Sequence, residues 1–247
     1  MSAPSLSVVI PAFNEALRLP ATLARVRSYL DARQPSYEIV VVDDGSRDAT
    51  AEAARAVAAP ILVLRHAQNR GKGHAVRAGM LAARGERRLM TDADLSTPIE
   101  ELARLETALA QGFDVAIGSR AVAGARIEVH QPAYREAMGR LFNRLVQALL
   151  LPGLHDTQCG FKLFTAAAAA AAFSACRLDG FSFDVEALYV ARRRGLRIAE
   201  LPVVWRNDAA TRVGLGGGAF AFVDLLRIRL AAARGRYGPP AGPSRPT

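Results

Sequence analysis

Strand and helix signals alternate through the first half of the chain with short connections, which marks an α/β protein with a mostly parallel central sheet covered by helices on both faces. Two further observations agree. Val8, Val9 and Ile10, and the run from Ile39 to Val42, are unbroken apolar stretches, as required of strands buried on both faces. The 247 residues, 51% of them hydrophobic, are enough for one large domain with an ample core.

Strands are expected at residues 6–11, 38–43, 61–65, 87–92 and 114–119, where apolar runs end in polar or glycine-containing turns. Helices are expected between them, at 18–32, 49–58, 72–83 and 98–111. Thr97 is placed to cap the last of these, with Pro98 at its first position and Glu100 reaching back. Residues 137–151 follow an amphipathic pattern with Arg140 and Arg144 one turn apart. The seven alanines at 166–172 read as a helix without chemistry. Residues 181–186 open another helix, where Asp184 and Glu186 either reach a ligand in the cleft or serve as cap and surface groups. Residues 198–205, interrupted by Pro202, read as an edge strand. A flexible hinge is expected at 214–218, then a second basic amphipathic helix with Arg227, Arg229, Arg234 and Arg236, and a disordered tail from Gly238. The expected organisation is one domain over 1–215, with halves 1–120 and 121–215, followed by the helix at 216–237 and the tail at 238–247.

The net charge of +9 is unevenly placed. Residues 1–119 carry 14 basic and 14 acidic side chains, whereas residues 120–247 carry 18 and 9. A basic half suits nucleic acid, an anionic membrane or a phosphorylated acceptor. With no aromatics interleaved among the arginines and no zinc-ligand spacing, nucleic acid is set aside. Cys159 and Cys176 are too few for a disulfide framework, which points to a reducing, cytoplasmic compartment. Met1 to Pro4 lead straight into the first strand without a signal-peptide pattern, and no run of about twenty apolar residues exists to cross a bilayer. The sequence carries no signal of oligomeric state. His66, His74, His130 and His155 are scattered, and none is assigned a catalytic role.

In open α/β sheets ligands bind beyond the carboxyl ends of the strands. Those ends carry Pro11-Ala12-Phe13-Asn14-Glu15, Asp43-Asp44-Gly45-Ser46, Asn69-Arg70-Gly71-Lys72-Gly73, Asp92-Ala93-Asp94 and Gly118-Ser119-Arg120. One such turn is ordinary; five at one rim make a site. Asp92 and Asp94, two apart on a strand, face the same side and offer hard oxygen ligands of the kind that hold Mg²⁺ or Mn²⁺ on a diphosphate. Asp44 can accept a hydrogen bond from a nucleobase N–H. Gly71 and Gly73 let backbone approach a ligand, with Lys72 as a point charge for phosphate. A Walker loop and the dinucleotide fingerprint are both missing, so kinase and dehydrogenase readings lose their main support.

Together with Asp156-Thr157-Gln158-Cys159-Gly160-Phe161-Lys162-Leu163-Phe164, these segments resemble family 2 glycosyltransferases of the GT-A fold over residues 6–212. The chain most resembles their dolichyl-phosphate glucosyltransferase branch, close to the dolichyl-phosphate mannose synthases. The resemblance implies that Pro11, Ala12, Phe13, Glu15, Asp44, Lys72 and Ala93 line the nucleotide-sugar pocket. It implies Asp92 and Asp94 as metal ligands, with Ser96 where the mannose synthases place a ligating glutamine. It further implies Ser119, Arg120 and Arg135 at the acceptor phosphate, and Asp94, Arg120, Asp156 and Lys162 as the catalytic group. The stretch from Trp205 to Arg212 resembles a late basic loop over the diphosphate, with Arg212 standing for the more usual lysine.

An inverting transfer needs a nucleophile opposite the leaving diphosphate and positive charge on that diphosphate. A sugar hydroxyl also needs a carboxylate base, whereas a lipid monophosphate is already anionic. The expected activity is therefore metal-dependent transfer of a hexose, glucose from UDP-glucose by resemblance, to a polyprenyl phosphate at the cytoplasmic face of a membrane. The two basic amphipathic helices would contact anionic lipid there. Three alternatives stand beside it: a soluble transferase with a small phosphorylated or hydroxyl acceptor, a sugar nucleotidyltransferase, and a non-catalytic nucleotide-sugar or anionic-lipid binder.

Overall fold

The computed structural model describes residues 3–57, 60–208 and 215–238. In chain order the first half runs β1 (Leu6–Ala12), α1 (Leu19–Asp31), β2 (Tyr37–Asp43), α2 (Thr50–Arg55), β3 (Ile61–Arg65), α3 (Lys72–Ala82), β4 (Arg87–Thr91), α4 (Leu102–Ala110) and β5 (Val115–Ser119). The second half continues with β6 (Arg126–Val129), α5 (Ala133–Leu149), β7 (Phe161–Thr165), α6 (Ala166–Ala175), α7 (Phe183–Arg193), β8 (Ile198–Pro202), β9 (Val204–Arg206) and α8 (Leu215–Ala233).

Seven strands form one sheet in the order β3-β2-β1-β4-β7-β5-β8. The pairs β3/β2, β2/β1, β1/β4 and β5/β8 are parallel, and β7 alone runs antiparallel, to β4 and β5. An antiparallel strand begins where its neighbours end. The connection into β7 therefore passes along the rim at which β1, β2, β4 and β5 finish, bringing residues 156–160 to the acidic turn. Side chains alternate between two cores. Val8, Ile10, Ile39 and Val41 pack beneath α1 and α4, whereas Val9, Val40, Val42 and Phe164 pack beneath α3, α6 and α7. The α/β class and the helix-covered, mostly parallel sheet expected from the sequence are those of the molecule.

Several local expectations are corrected. β4 stops at Thr91, so Asp92 to Leu95 form a turn closed by the Leu95 amide donating to the Asp92 carbonyl (3.2 Å), with Leu95 at φ 46°. Thr97 caps nothing; its hydroxyl lies 3.5 Å from the Cys159 sulfur, and the chain turns into a short 3-10 segment, Ile99–Glu101, ahead of α4. β6 and β7 are additional to the strands expected from the sequence: β6 is short and mostly exposed, and β7 begins within the segment 156–164. The strand expected at 198–205 is two strands: Pro202 ends β8 at the sheet edge, and β9 pairs with β6 in a separate two-stranded sheet. The hinge expected at 214–218 is helical from Leu215 onward. Arg212 and the tail at 239–247 lie outside the described residues.

Candidate active site

The rim is assembled from loops that hold one another. The Asn14 amide donates to Ser46 Oγ (2.8 Å), and the Arg47 amide donates to Asn14 Oδ1 (2.9 Å), which joins the loop after β1 to the loop after β2. Glu15 accepts from Arg18 Nε (2.9 Å), and Arg18 also reaches Asp208 (2.5 Å), tying the chain beyond β9 to the same corner. Pro11 and Phe13 line this wall, Phe13 half-exposed, while Ala12 contributes its carbonyl to the Asp44 amide (2.9 Å).

Asp44 is buried and committed. Its carboxylate accepts the amides of Arg70 (3.1 Å) and Gly71 (2.7 Å) and lies 2.8 Å from His66 Nδ1. Asp44 thereby shapes the loop that carries Lys72. The two glycines around Lys72 also admit a neighbouring segment. A Cβ on Gly71 would lie 2.4 Å from the Asp179 carbonyl, and one on Gly73 2.5 Å from the Leu178 carbonyl. Their bareness admits the connection before α7, whose Asp179 carbonyl accepts the Gly73 amide (2.8 Å) at the start of α3.

At the centre, Lys72 Nζ lies 2.6 Å from Asp92 Oδ1, and the Ser96 amide donates to Asp94 Oδ1 (2.9 Å). Ala93 is placed by its carbonyl, which accepts from the Thr22 hydroxyl (2.6 Å). Burial, and then the Asp92 charge, push the Asp94 carboxyl above its ordinary range. Burial works against the Lys72 charge, but Asp92 and Asp184 outweigh it and raise that ammonium. Gly160 lies directly beneath: a Cβ there would come 2.0 Å from Asp92 Oδ2. Two adjacent carboxylates, one of them raised by the other's charge, are a donor set for a hard divalent cation, so the residues present fit Mg²⁺ or Mn²⁺.

The remaining expected residues are brought to the rim but held inside it. Arg120 forks onto Asp156 through Nε (2.7 Å) and Nη2 (2.9 Å) and lies over the Trp205 ring at 5.2 Å. Burial alone would raise the Asp156 carboxyl; Arg120 outweighs it and holds it at about 2. Lys162 is buried, donating to the Cys159 carbonyl (2.6 Å) and to Asp184 (2.5 Å). Ser119 is buried with its hydroxyl taken by the Ala121 amide (3.2 Å). Asp156 and Lys162 thus each hold a charged partner within the rim, and Ser119 stands at the end of β5 beside Arg120. Arg135 stands in the first turn of α5. Asp184 and Glu186, weighed as cleft or surface groups, are both buried, Glu186 accepting the Arg177 and Leu178 amides (2.8 Å each) and the Tyr237 hydroxyl (2.6 Å). Sequence reasoning missed the Trp205–Arg120 contact and the pairing of His66 with Asp44. Both join residues far apart in sequence that meet only through strand order.

A Rossmann-like sheet whose rim presents an Asp-x-Asp turn is the architecture of a GT-A glycosyltransferase. The model of glycosyl transferase family 2 matches residues 7–173, and the chain belongs to that family. It is 37% identical to the human dolichyl-phosphate beta-glucosyltransferase over 94% of this chain and 77% of the relative. With the Saccharomyces cerevisiae protein of that name it shares 34% identity over 94% and 76%. Among solved structures, mannosyl-3-phosphoglycerate synthase from Rubrobacter xylanophilus superposes with a TM-score of 0.67 at 20% identity, covering 94% of this chain and 76% of the other. Glucosyl-3-phosphoglycerate synthase from Mycobacterium tuberculosis, in complex with UDP, gives 0.65 at 20% identity over 97% and 82%. These structures share the fold.

Proposed function

We propose that this chain transfers glucose from UDP-glucose to the phosphate of dolichol or a related polyprenol, with inversion at the anomeric carbon. The observation that carries the reading is the commitment of the rim carboxylates. Asp44 is held by two amides and His66, Asp156 by Arg120, and Asp184 by Lys162. Glu15 is held by Arg18, and Asp92 and Asp94, which meet Lys72 and the Ser96 amide at the turn, are the pair that would serve a cation. No carboxylate of the set is left as the general base that a hydroxyl acceptor would need, and an anionic phosphate needs none.

Asp92 and Asp94 would hold Mg²⁺ or Mn²⁺, which would supply charge neutralisation at the leaving diphosphate. Lys72 adds positive charge beside the same turn, and the wall of Pro11, Phe13 and Glu15 receives the nucleoside. Arg135 and Arg212 offset the repulsion between acceptor phosphate and donor diphosphate. Arg120 orders the rim through Asp156 instead of binding the acceptor directly.

The lipid is met by α5 and α8. No helix among the described residues is long and apolar enough to cross a membrane. Instead α5 exposes Tyr134, Met138 and Leu141, and α8 exposes Val223, Leu226 and Leu230, with Arg140, Arg144, Arg227 and Arg229 around them. An apolar stripe bordered by arginines suits the anionic cytoplasmic leaflet.

The test is to incubate the protein with Mn²⁺ or Mg²⁺, labelled UDP-glucose, GDP-mannose or UDP-N-acetylglucosamine, and dolichyl phosphate or 3-phosphoglycerate. Label from UDP-glucose entering the organic phase only with dolichyl phosphate is the expected result. Aqueous product from the small acceptor alone would overturn the lipid acceptor and leave the donor site standing.

A further inference from the structure

Apart from the acidic turn, a second group of ligating side chains meets at this end of the sheet. Asp44 follows β2, His66 follows β3, and His74 lies in the first turn of α3; one ligand atom from each lies within 4.8 Å of the other two. The rings of His66 and His74 meet edge-on with centroids 4.5 Å apart. His74 Nδ1 is shut off from solvent without a hydrogen-bond partner, and a buried ring nitrogen left so is costly. Asp44 has taken up its backbone amides and turns its Oδ1 towards His66.

We propose that Asp44, His66 and His74 form a second metal site, selective for a borderline cation of the Zn²⁺ class and distinct from the all-oxygen Asp92/Asp94 pair. Two imidazoles and one carboxylate form the three-ligand set that Zn²⁺ accepts, with a further position left for water or another ligand. Mg²⁺ and Mn²⁺ favour carboxylate and water over imidazole. The geometry is independent of the Asp92/Asp94 turn, since its three ligating side chains come from the ends of β2 and β3 and the start of α3. Occupancy would fasten the ends of β2 and β3 to α3, and through the Asp44 carboxylate the Arg70–Gly71 segment that leads into Lys72. Asp44 also stands in the turn that the resemblance places at the nucleotide-sugar pocket, so the test changes the two histidines and leaves Asp44 in place.

The test uses the full chain carrying Asp92→Asn and Asp94→Asn, which silences the acidic turn. Calorimetric titration with Zn²⁺ is expected to show one ion per chain, and adding His66→Gln or His74→Gln is expected to weaken it by about tenfold or more. X-ray absorption at the zinc edge of the same chain, with both histidines intact, is expected to show imidazole scattering. Absence of Zn²⁺ binding, binding unchanged in the histidine variants, or an all-oxygen shell would overturn the proposal.

Discussion

Asp156 gives up solvent to hold Arg120 by two side-chain hydrogen bonds and a third from the Arg120 amide (2.9 Å), while its own amide donates to Glu200 (2.7 Å). Replacing it with asparagine leaves a guanidinium in the rim without its counter-charge, so Asp156→Asn is expected to cost about 3 kcal/mol in urea unfolding. The ionisation has a definite sign. The Asp156 carboxyl is held at about 2, below its unfolded value near 4, so its contribution is complete above about pH 4 and lost as pH falls towards 2. Stability measured across that window is expected to fall less steeply in Asp156→Asn than in the unmodified chain. The identities of the rim residues were legible, since Asp92, Asp94, Lys72, Arg120 and Asp156 stand in recognisable turns and motifs. Their partners were not. Whether Lys162 meets a ligand or Asp184 depends on β7 running antiparallel beside β4, which no local pattern reveals.

At the scale of elements, α3 links core packing to the site because it begins at Lys72 and crosses the sheet at Gly79. A Cβ at Gly79 would lie 2.4 Å from Val9 Cγ1 and 2.8 Å from Val42 Cγ2. Alanine gains about 1 kcal/mol in helix propensity, but forcing the helix off the sheet costs about 1–3 kcal/mol. Gly79→Ala is therefore expected to be destabilised overall in urea unfolding and to raise the donor KM by moving Lys72. The α5 and α8 surface separates membrane contact from chemistry. Leu226→Asn with Leu230→Asn is expected to raise the KM for dolichyl phosphate in vesicles severalfold while leaving turnover of a short-chain, water-soluble polyprenyl phosphate unchanged, as read by initial rates with both acceptors. Long periodic elements such as α1 and α4 were legible within a few residues. The start of α8 was not, because its glycines suggested a hinge where the backbone is helical.

For the whole molecule, the charge division and the topology tell one story. The balanced first half supplies most of the sheet and the acidic turn, and the basic second half supplies α5 and α8. Binding to vesicles containing anionic lipid is expected at low salt and to weaken strongly at about 0.5 M salt, where screening leaves only the apolar stripe. The class of fold followed from alternation and buried strands, whereas the passage of the chain from the main sheet at Pro202 to the two-stranded sheet at Val204 required the three-dimensional pairing. The Asp92–Asp94 rim is proposed to move glucose onto a lipid phosphate. This is tested by the initial rate of label passing from UDP-glucose into dolichyl phosphate at saturating Mn²⁺, measured for the unmodified chain and for Asp94→Asn. Rapid transfer that falls by about a hundredfold or more in the variant is expected; equal rates in the two proteins would rule out a role for this turn in the transfer.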